Sequence, residues 1–520
     1  MVRSMRDVVK TLWPAYLLAS LFILWGLTWS LPSHRFIDKS FHADENAAVW
    51  AVNQIHPPGF NPHWFNWGTA LFYQVYFLKL LGRAGGLLQV SDSGILLMGR
   101  LVVWISALGA ITCVFLLCRQ LFDVQTGRLA SILLSVMPGF VINAHYFKTD
   151  IPMTFWLLAA FVVGYRLIAT GNVRYVYLLG LLAGYSTSNK YSAAAVVPAG
   201  LIFLGMRNRI GSKLRDCLRY ASCTAIGFLA GTPRVLPDPR EFLSALNVVA
   251  EAGRSGSPAA IVHQPAWLDY LSRISQLSMT FPLWIAAAIG LGWLIVRKGK
   301  ALLPVWVFLL GYTFVLAADN SRLMRYTVPL LPFAAISIAF LSQEIKRTGV
   351  VGRWLSIATV SLGIAYSLLF TISYVRVMTL EDPRVQAGSW ISEHASRDTP
   401  FPVSTSHSLG APQIQLWGYT KVDIETDVAK LREAASPYLA LSEYVSQRYE
   451  GALDRNPSVQ EFFSYLGNNY VEVARFENSQ RLLGVDSKSG LQITHDWLYP
   501  NPRITIYQRR PSAVLLRPAF

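Results

Sequence analysis

The stretch ILLMGRLVVWISALGAITCVFLLCRQL, residues 95–121, decides the fold class. As a helix it rises roughly 40 Å at about 1.5 Å per residue, more than the ~30 Å of a bilayer's hydrocarbon. Its only charges are Arg100 and Arg119. Arg119 lies at the end of the run, where it reaches the interface. Arg100 lies inside it, where an unpaired guanidinium costs about 2.5–3.5 kcal/mol even on insertion scales. The segment therefore reads as a membrane span that needs a carboxylate or an anionic ligand for Arg100.

Similar apolar runs recur at 12–31, 128–147, 151–169, 176–188, 192–206, 218–232, 277–296, 301–318, 326–341 and 354–375. The composition agrees, with 53% hydrophobic and only 15% charged residues, well under the ~25% charged of a soluble chain. The net charge is +16, which raises the question of nucleic acid. From Arg376 onward, however, 15 basic residues face 16 acidic ones. The whole basic excess lies in the apolar part, where short Lys/Arg loops set orientation, so nucleic acid is not expected as a partner. Four cysteines, Cys113, Cys118, Cys217 and Cys223, show no metal-ligand spacing.

Charge placement sets the topology. Arg3, Arg6 and Lys10 precede the first run, which has no A-x-A cleavage site, so it is expected to be an uncleaved anchor with a cytoplasmic N-terminus. Residues 65–81 are short, aromatic and carry Lys79. If they crossed, the loop with Arg207, Arg209, Lys213, Arg215 and Arg219 would face outward, against the positive-inside rule. They are therefore expected as a juxtamembrane helix in an outer loop, 32–94. The result is a polytopic α-helical membrane protein of about eleven transmembrane helices over residues 1–375. Residues 376–520 alternate β-branched runs with helical stretches and read as a soluble extracytoplasmic α/β domain. The absence of an N-x-S/T acceptor favours a prokaryotic plasma (inner) membrane.

This sidedness gathers chemistry on the outer face. Asp44-Glu45 follow the first span, and His145-Tyr146-Phe147-Lys148-Thr149-Asp150 reaches the same level. An adjacent acid pair can divide labour, one taking a proton and the other orienting a neighbour. Asp150-Ile151-Pro152 also reads as a helix cap. Lys190-Tyr191 and Arg322, Arg325 and Tyr326 bring cations to that rim, where snorkelling competes with ligand binding. His42, His56 and His63 match no strong metal motif, so no cofactor is assigned and a divalent cation stays open. Acids and cations together suit sugar transfer from a lipid phosphate: a base deprotonates the acceptor hydroxyl, and cations receive the departing phosphate. The lipid tail would lie in a groove between helices. A transporter or flippase of lipid-linked sugars is the alternative, but transporters favour midplane charges and repeats.

The chain resembles the GT-C membrane glycosyltransferases, in the protein O-mannosyltransferase/aminoarabinose transferase branch. The matching pieces are Asp44-Glu45, His56-Pro57-Pro58-Gly59, Arg100, Asp150-Ile151-Pro152, Asn189-Lys190-Tyr191 and the stretch from Arg325-Tyr326 to Pro332. Asp382-Pro383-Arg384, Trp390-Ile391 and Ile504–Tyr507 match in the tail. The resemblance implies an inverting hexosyl- or pentosyltransferase using a polyprenyl-phosphate sugar, with a protein, glycan or lipid acceptor. It implies Asp44 as general base, with Glu45 and Asp150 shaping the pocket. Lys190, Arg325 and Arg322 are the expected donor phosphate-binding cations, Arg100 a structural or donor-side one, and His56, His145, Tyr191 and Tyr326 the expected substrate-pocket residues. Residues 60–66 replace the compact Pro-Pro-Leu-aromatic pattern of that branch, which leaves the acceptor class open. A reporter fused at Lys213 is expected to read cytoplasmic and one at Asn247 the opposite side; an external Lys213 contradicts the assignment.

Overall fold

The computed structural model describes residues 5–32, 37–86, 90–207, 213–256, 264–406, 409–434, 436–449, 456–488 and 493–511. Arg209 lies outside them. The chain begins with α1 (Met5–Leu24), α2 (Ala43–Gln54), α3 (Ala70–Ala84) and α4 (Asp92–Leu121). It continues through α5 (Val124–Val136), α6 (Pro138–Asn143), α7 (Asp150–Thr170), α8 (Arg174–Asn189), α9 (Val196–Gly205), α10 (Lys213–Gly231) and α11 (Pro239–Ser255). Next come α12 (Ala266–Asp269), α13 (Ser275–Met279), α14 (Phe281–Lys298), α15 (Leu303–Ala317), α16 (Leu331–Lys346) and α17 (Val350–Val375).

Among the described residues, six helical stretches are long and apolar enough to cross a membrane, and two shorter apolar helices accompany them. The protein is a polytopic α-helical membrane protein. Two of the apolar runs are interrupted. Pro138 follows Met137, whose extended backbone ends α5 before α6 starts, as the restriction on a residue before proline requires. Thr280, with φ 72°, separates α13 from α14, and its hydroxyl meets Ser367 Oγ at 2.8 Å.

Small residues let the helices approach. On α8 and α10, a Cβ added to Gly184 would fall 1.9 Å from the Thr224 carbonyl oxygen, and one on Gly227 2.2 Å from that of Leu181. Without a hydrophobic drive between helices in lipid, such backbone contact is a main source of association. α3 leans on this pair from one end: Thr69 Oγ1 donates to the Gly231 carbonyl (2.8 Å) and Gln74 to Tyr185 Oη (2.9 Å). Further along, Lys79 Nζ still reaches Asn53 of α2 (2.7 Å). α3 thus runs along the end of the bundle that carries Asp44.

After the membrane helices come α18 (Pro383–His394), β1 (Phe401–Ser404), β2 (Lys421–Asp423), α19 (Val428–Glu433), β3 (Tyr438–Ser442), α20 (Glu443–Tyr449), α21 (Pro457–Asn469) and β4 (Tyr470–Phe476). β5 (Arg481–Leu482), β6 (Val485–Asp486) and β7 (Ile504–Arg509) end the described fold. The main sheet runs β2-β1-β3-β7-β4, parallel between β1 and its two neighbours and antiparallel around β7. This tail is not detached from the helices. Its 495–499 turn carries Trp497 into the helical core against Tyr374 (ring centroids 4.5 Å) and Phe370 (5.7 Å). Arg384, wholly buried, holds Asp382 through two bonds of 2.7 Å and the Tyr499 carbonyl at 2.7 Å, and lies over the Phe41 ring.

One buried ion pair fastens α2 to α4. Glu45 accepts from Arg100 Nε (2.9 Å) and Nη2 (2.7 Å), and also from Ser40 Oγ (3.0 Å) and the Phe147 amide (2.8 Å). Arg100 Nη1 donates to the Leu27 and Trp29 carbonyls. The demand that the sequence made for a partner to Arg100 is met by Glu45. Removing one member of such a pair typically costs about 3–5 kcal/mol. Glu45→Ala is therefore expected to lower the thermal midpoint of the detergent-solubilised protein by several degrees, more than Glu45→Gln; an unchanged midpoint contradicts this.

Candidate active site

A cavity of about 390 Å³ opens where α2, α7, α8, α11 and α15 converge. Asp44, Lys148, Asp150, Lys190, Tyr191, Arg325 and Tyr326 line it, with Asn66, Trp67, Tyr312, Asp319 and Arg254. Asp44 begins α2, one residue before Glu45, and a helical step of about 100° separates the two side chains. Glu45 turns to Arg100, and Asp44 faces the cavity. The loop before α7 answers in register: the Phe147 amide binds Glu45, and Lys148 Nζ binds Asp44 at 2.5 Å. Arg325 Nη1 approaches the same carboxylate at 3.3 Å.

Across the cavity, Asp150 is bound by Lys190 Nζ at 2.5 Å. It stands in the first turn of α7, where Thr149 holds the N-cap position and makes no side-chain cap bond. The cap reading is thereby replaced by an ion pair. Lys190 ends α8 in extended backbone, which throws its side chain outward, and its Nζ sits 4.2 Å from the Tyr326 ring centre. Tyr191 donates to the Phe65 and Trp67 carbonyls (3.1 Å each), fixing the wall opposite.

Positive charge is in surplus. The lining carboxylates are Asp44, Asp150 and Asp319, and the cations are Lys148, Lys190, Arg254 and Arg325. Burial alone would raise Asp44, but Lys148 and Arg325 outweigh it and hold the carboxyl well below the usual carboxylate range. Burial, then the Arg325 charge, push the Lys148 ammonium down to about 8 against the pull of Asp44 and Asp150. A site that depresses an acid and a base together favours losing protons, and so favours an added anion.

Several expected site residues lie elsewhere. Glu45 and Arg100 saturate each other behind the cavity. Arg322 is turned away onto Asp269 (3.1 Å) and the Gln264 carbonyl (2.9 Å), because positive φ at Arg322 directs it opposite to Arg325. His145 is buried with its ring nitrogens on the Val141 and Trp25 carbonyls. His56 is exposed beside its own loop, near the Pro57 carbonyl. For the divalent cation left open above, no group of three His, Cys, Asp or Glu side chains gathers among the described residues. Asp44 and Asp150 are instead both taken by cationic side chains.

Other residues were missed. Lys148 was legible only as a loop charge. The tail turn gave no signal, yet Asp496 accepts from the Met324 and Arg325 amides at 3.0 Å each, and Tyr499 Oη lies 3.4 Å from Arg325 Nη1. His42 is buried between Tyr146 and Tyr499, at 4.6 and 4.0 Å between ring centres. Burial and the nearby Lys148 keep it well below its usual range, hence neutral.

Comparisons with known proteins bear on this arrangement. Residues 87–236 match the family model described as dolichyl-phosphate-mannose-protein mannosyltransferase. An uncharacterized protein of Aquifex aeolicus (strain VF5) is 23% identical over 357 residues, 64% of this chain and 66% of its own length. The archaeal oligosaccharyltransferase AglB from Archaeoglobus fulgidus, solved with an inhibitory peptide and a dolichol-phosphate, superposes with a TM-score of 0.50 at 11% identity. That match covers 90% of this chain and 73% of the other. ArnT from Cupriavidus metallidurans, solved bound to undecaprenyl phosphate, gives 0.50 at 9% identity over 94% of this chain and 97% of that one. The fold is that of the GT-C glycosyltransferases. Within the GT-C fold of this chain, the charged cavity sits at the starts of α2 and α7 and the end of α8.

The pH dependence of anion binding follows from Lys148. A lipid phosphate is anionic throughout, so it binds more tightly while Lys148 is protonated. Affinity for undecaprenyl phosphate is therefore expected to fall as pH rises through about 8, and Lys148→Met is expected to flatten that limb. A limb that persists in the variant assigns it to another group.

Proposed function

We propose that the protein is an inverting glycosyltransferase that moves a sugar from a polyprenyl-phosphate donor to an acceptor hydroxyl at the extracytoplasmic face. The observation that carries this reading is a cavity in which Lys148 and Arg325 bind Asp44 and Lys190 binds Asp150, three cations for two carboxylates, with Arg254 and Asp319 balancing each other in the rest of the lining. The donor is a phosphodiester of one negative charge, which matches that surplus. The family match and the lipid phosphates bound by the two GT-C relatives support the donor class.

The chemistry divides among the residues present. Lys190, Arg325 and Lys148 take the donor phosphate and receive the negative charge that grows on it as the bond from the sugar's anomeric carbon to the phosphate oxygen breaks. Asp44 accepts the proton of the acceptor hydroxyl, whose oxygen forms the new bond to that carbon from the opposite face. The phosphate leaves with the electron pair and needs no general acid. Asp150 holds Lys190 in place and faces the sugar. Glu45 and Arg100 act through position, by fixing α2.

Clamped by two cations, Asp44 is a weak base before the donor arrives. A phosphate draws Lys148 and Arg325 toward itself, and the carboxylate regains proton affinity as they leave. A second groove, of about 430 Å³, is lined by Val197, Leu201, Tyr220 and Phe228 among others, nearly all apolar surface. Phe228 stands 6.4 Å from Tyr191 of the charged cavity, so a lipid tail can lie there while its phosphate enters between the cations.

Asp44→Asn is expected to lower transfer by about 10²–10⁴-fold, while undecaprenyl phosphate binds as well as before or better, since a competitor for the cations is removed. Lys190→Ala and Arg325→Ala are expected to weaken that binding by roughly ten- to a hundred-fold. Wild-type transfer by Asp44→Asn contradicts the base assignment.

A further inference from the structure

The mechanism leaves a second built cavity unused. It has about 390 Å³ and is lined by Asn46, Val49, Trp50, Asn53, Trp64 and Asp92, with Pro32, Asp38, Lys39, Ala47 and Leu96. That volume lies within the ~300–1,000 Å³ usual for small-molecule sites. On α2, Asn46, Val49, Trp50 and Asn53 recur at helical spacing and make one face. Asp44 looks from a different face into the charged cavity.

Two features define what this second cavity can hold. Trp50 and Trp64 supply aromatic surface at one wall, with ring centres 6.2 Å apart. Trp50 is 45% exposed, so its ring is accessible from the cavity. The polar wall is made of amides and acids fixed in place. Asn53 Nδ2 donates to Asp92 Oδ1 (2.8 Å), its Oδ1 accepts from Lys79 (2.7 Å), and Asn46 Nδ2 donates to the Ser40 carbonyl (2.7 Å). Asp38 and Asp92 line it with Lys39, and Lys79 stands behind Asn53, so this wall lacks the cationic surplus of the phosphate cavity. A neutral, hydroxyl-rich ring offers donors to the carboxylates and carbonyl groups and C–H faces to indoles, whose ring faces are electron-rich.

The two cavities adjoin. Trp64 of the second and Trp67 of the first touch edge to face, with ring centres 5.3 Å apart. We infer that the second cavity is an acceptor subsite for a neutral saccharide chain, which passes over the Trp64–Trp67 pair to bring a hydroxyl to Asp44. This rests on the transferase reading for its role, while the binding itself does not.

The test uses the full chain in phosphatidylcholine nanodiscs, with mannotetraose and cellotetraose as probes and saturation-transfer NMR as readout. One or both tetrasaccharides are expected to bind the wild type. Trp50→Ala and Asn53→Ala are each expected to weaken binding at least five-fold, and Trp50→Phe by less than Trp50→Ala. Binding of undecaprenyl phosphate, measured on the same samples, should stay within two-fold in all three variants. Failure of both tetrasaccharides to bind overturns the inference, as does wild-type binding by Trp50→Ala or displacement of the saccharide by short-chain phosphatidylglycerol. A wild type that binds the tetrasaccharide at this face but not undecaprenyl phosphate upholds the saccharide cavity and overturns the transferase reading instead.

Discussion

The bond between Glu45 and Arg100 fixes the geometry on which the site depends. It joins the short helix α2 to the long helix α4 and, through the Phe147 amide, to the loop that precedes α7. With Glu45 held on one side of α2, the preceding residue has one direction left, and Asp44 meets Lys148 in the cavity. A buried pair of this kind is weak evidence for net stability, since desolvation offsets much of its attraction. Its value here lies in registration. Two successive acids on α2 are matched to two successive residues of the loop, and a shift of either element would put Glu45 into the cavity or Asp44 against Arg100.

From that frame the cavity's electrostatics follow. Asp44 and Asp150 each have a lysine in contact, and Arg325 adds a third cation beside Asp44. Under the reaction proposed above, an anion entering the site would compete with Asp44 and Asp150 for these cations. The tail takes part in holding it ready: Asp496 binds the amides of Met324 and Arg325, and Tyr499 lies against the Arg325 guanidinium. The α/β segment thus braces the Arg325 side of the site as well as forming a fold of its own.

The membrane architecture was legible because it is written in long apolar runs, and run length is what a bilayer selects. The sheet was legible at Tyr470–Phe476, where β-branched and aromatic residues cluster, and at Tyr438–Ser442, a short apolar run behind Pro437. Asp44, Asp150, Lys190 and Arg325 were legible as charges at one level. Their partners were not. Whether Glu45 or Asp44 faces the cavity depends on the phase of α2, which its weakly amphipathic sequence leaves undefined. Arg322 and Arg325 look alike in sequence, and a local positive φ sends one to Asp269 and the other to Asp44. Lys148 acquires its role from a residue 104 positions earlier. The 495–499 turn has no periodicity to reveal it, and His145, which looked functional, is buried with its ring between two backbone carbonyls.

Partner exchange in the cavity is most directly visible in an experimental structure of the full chain with undecaprenyl phosphate bound. The phosphate should lie between Lys190 and Arg325 with Lys148 turned toward it, and the Asp44 carboxylate should stand free of Lys148, beyond 4 Å, while Glu45 keeps Arg100. A lipid phosphate seated away from these cations, or an Asp44–Lys148 contact unchanged by its presence, would contradict the account.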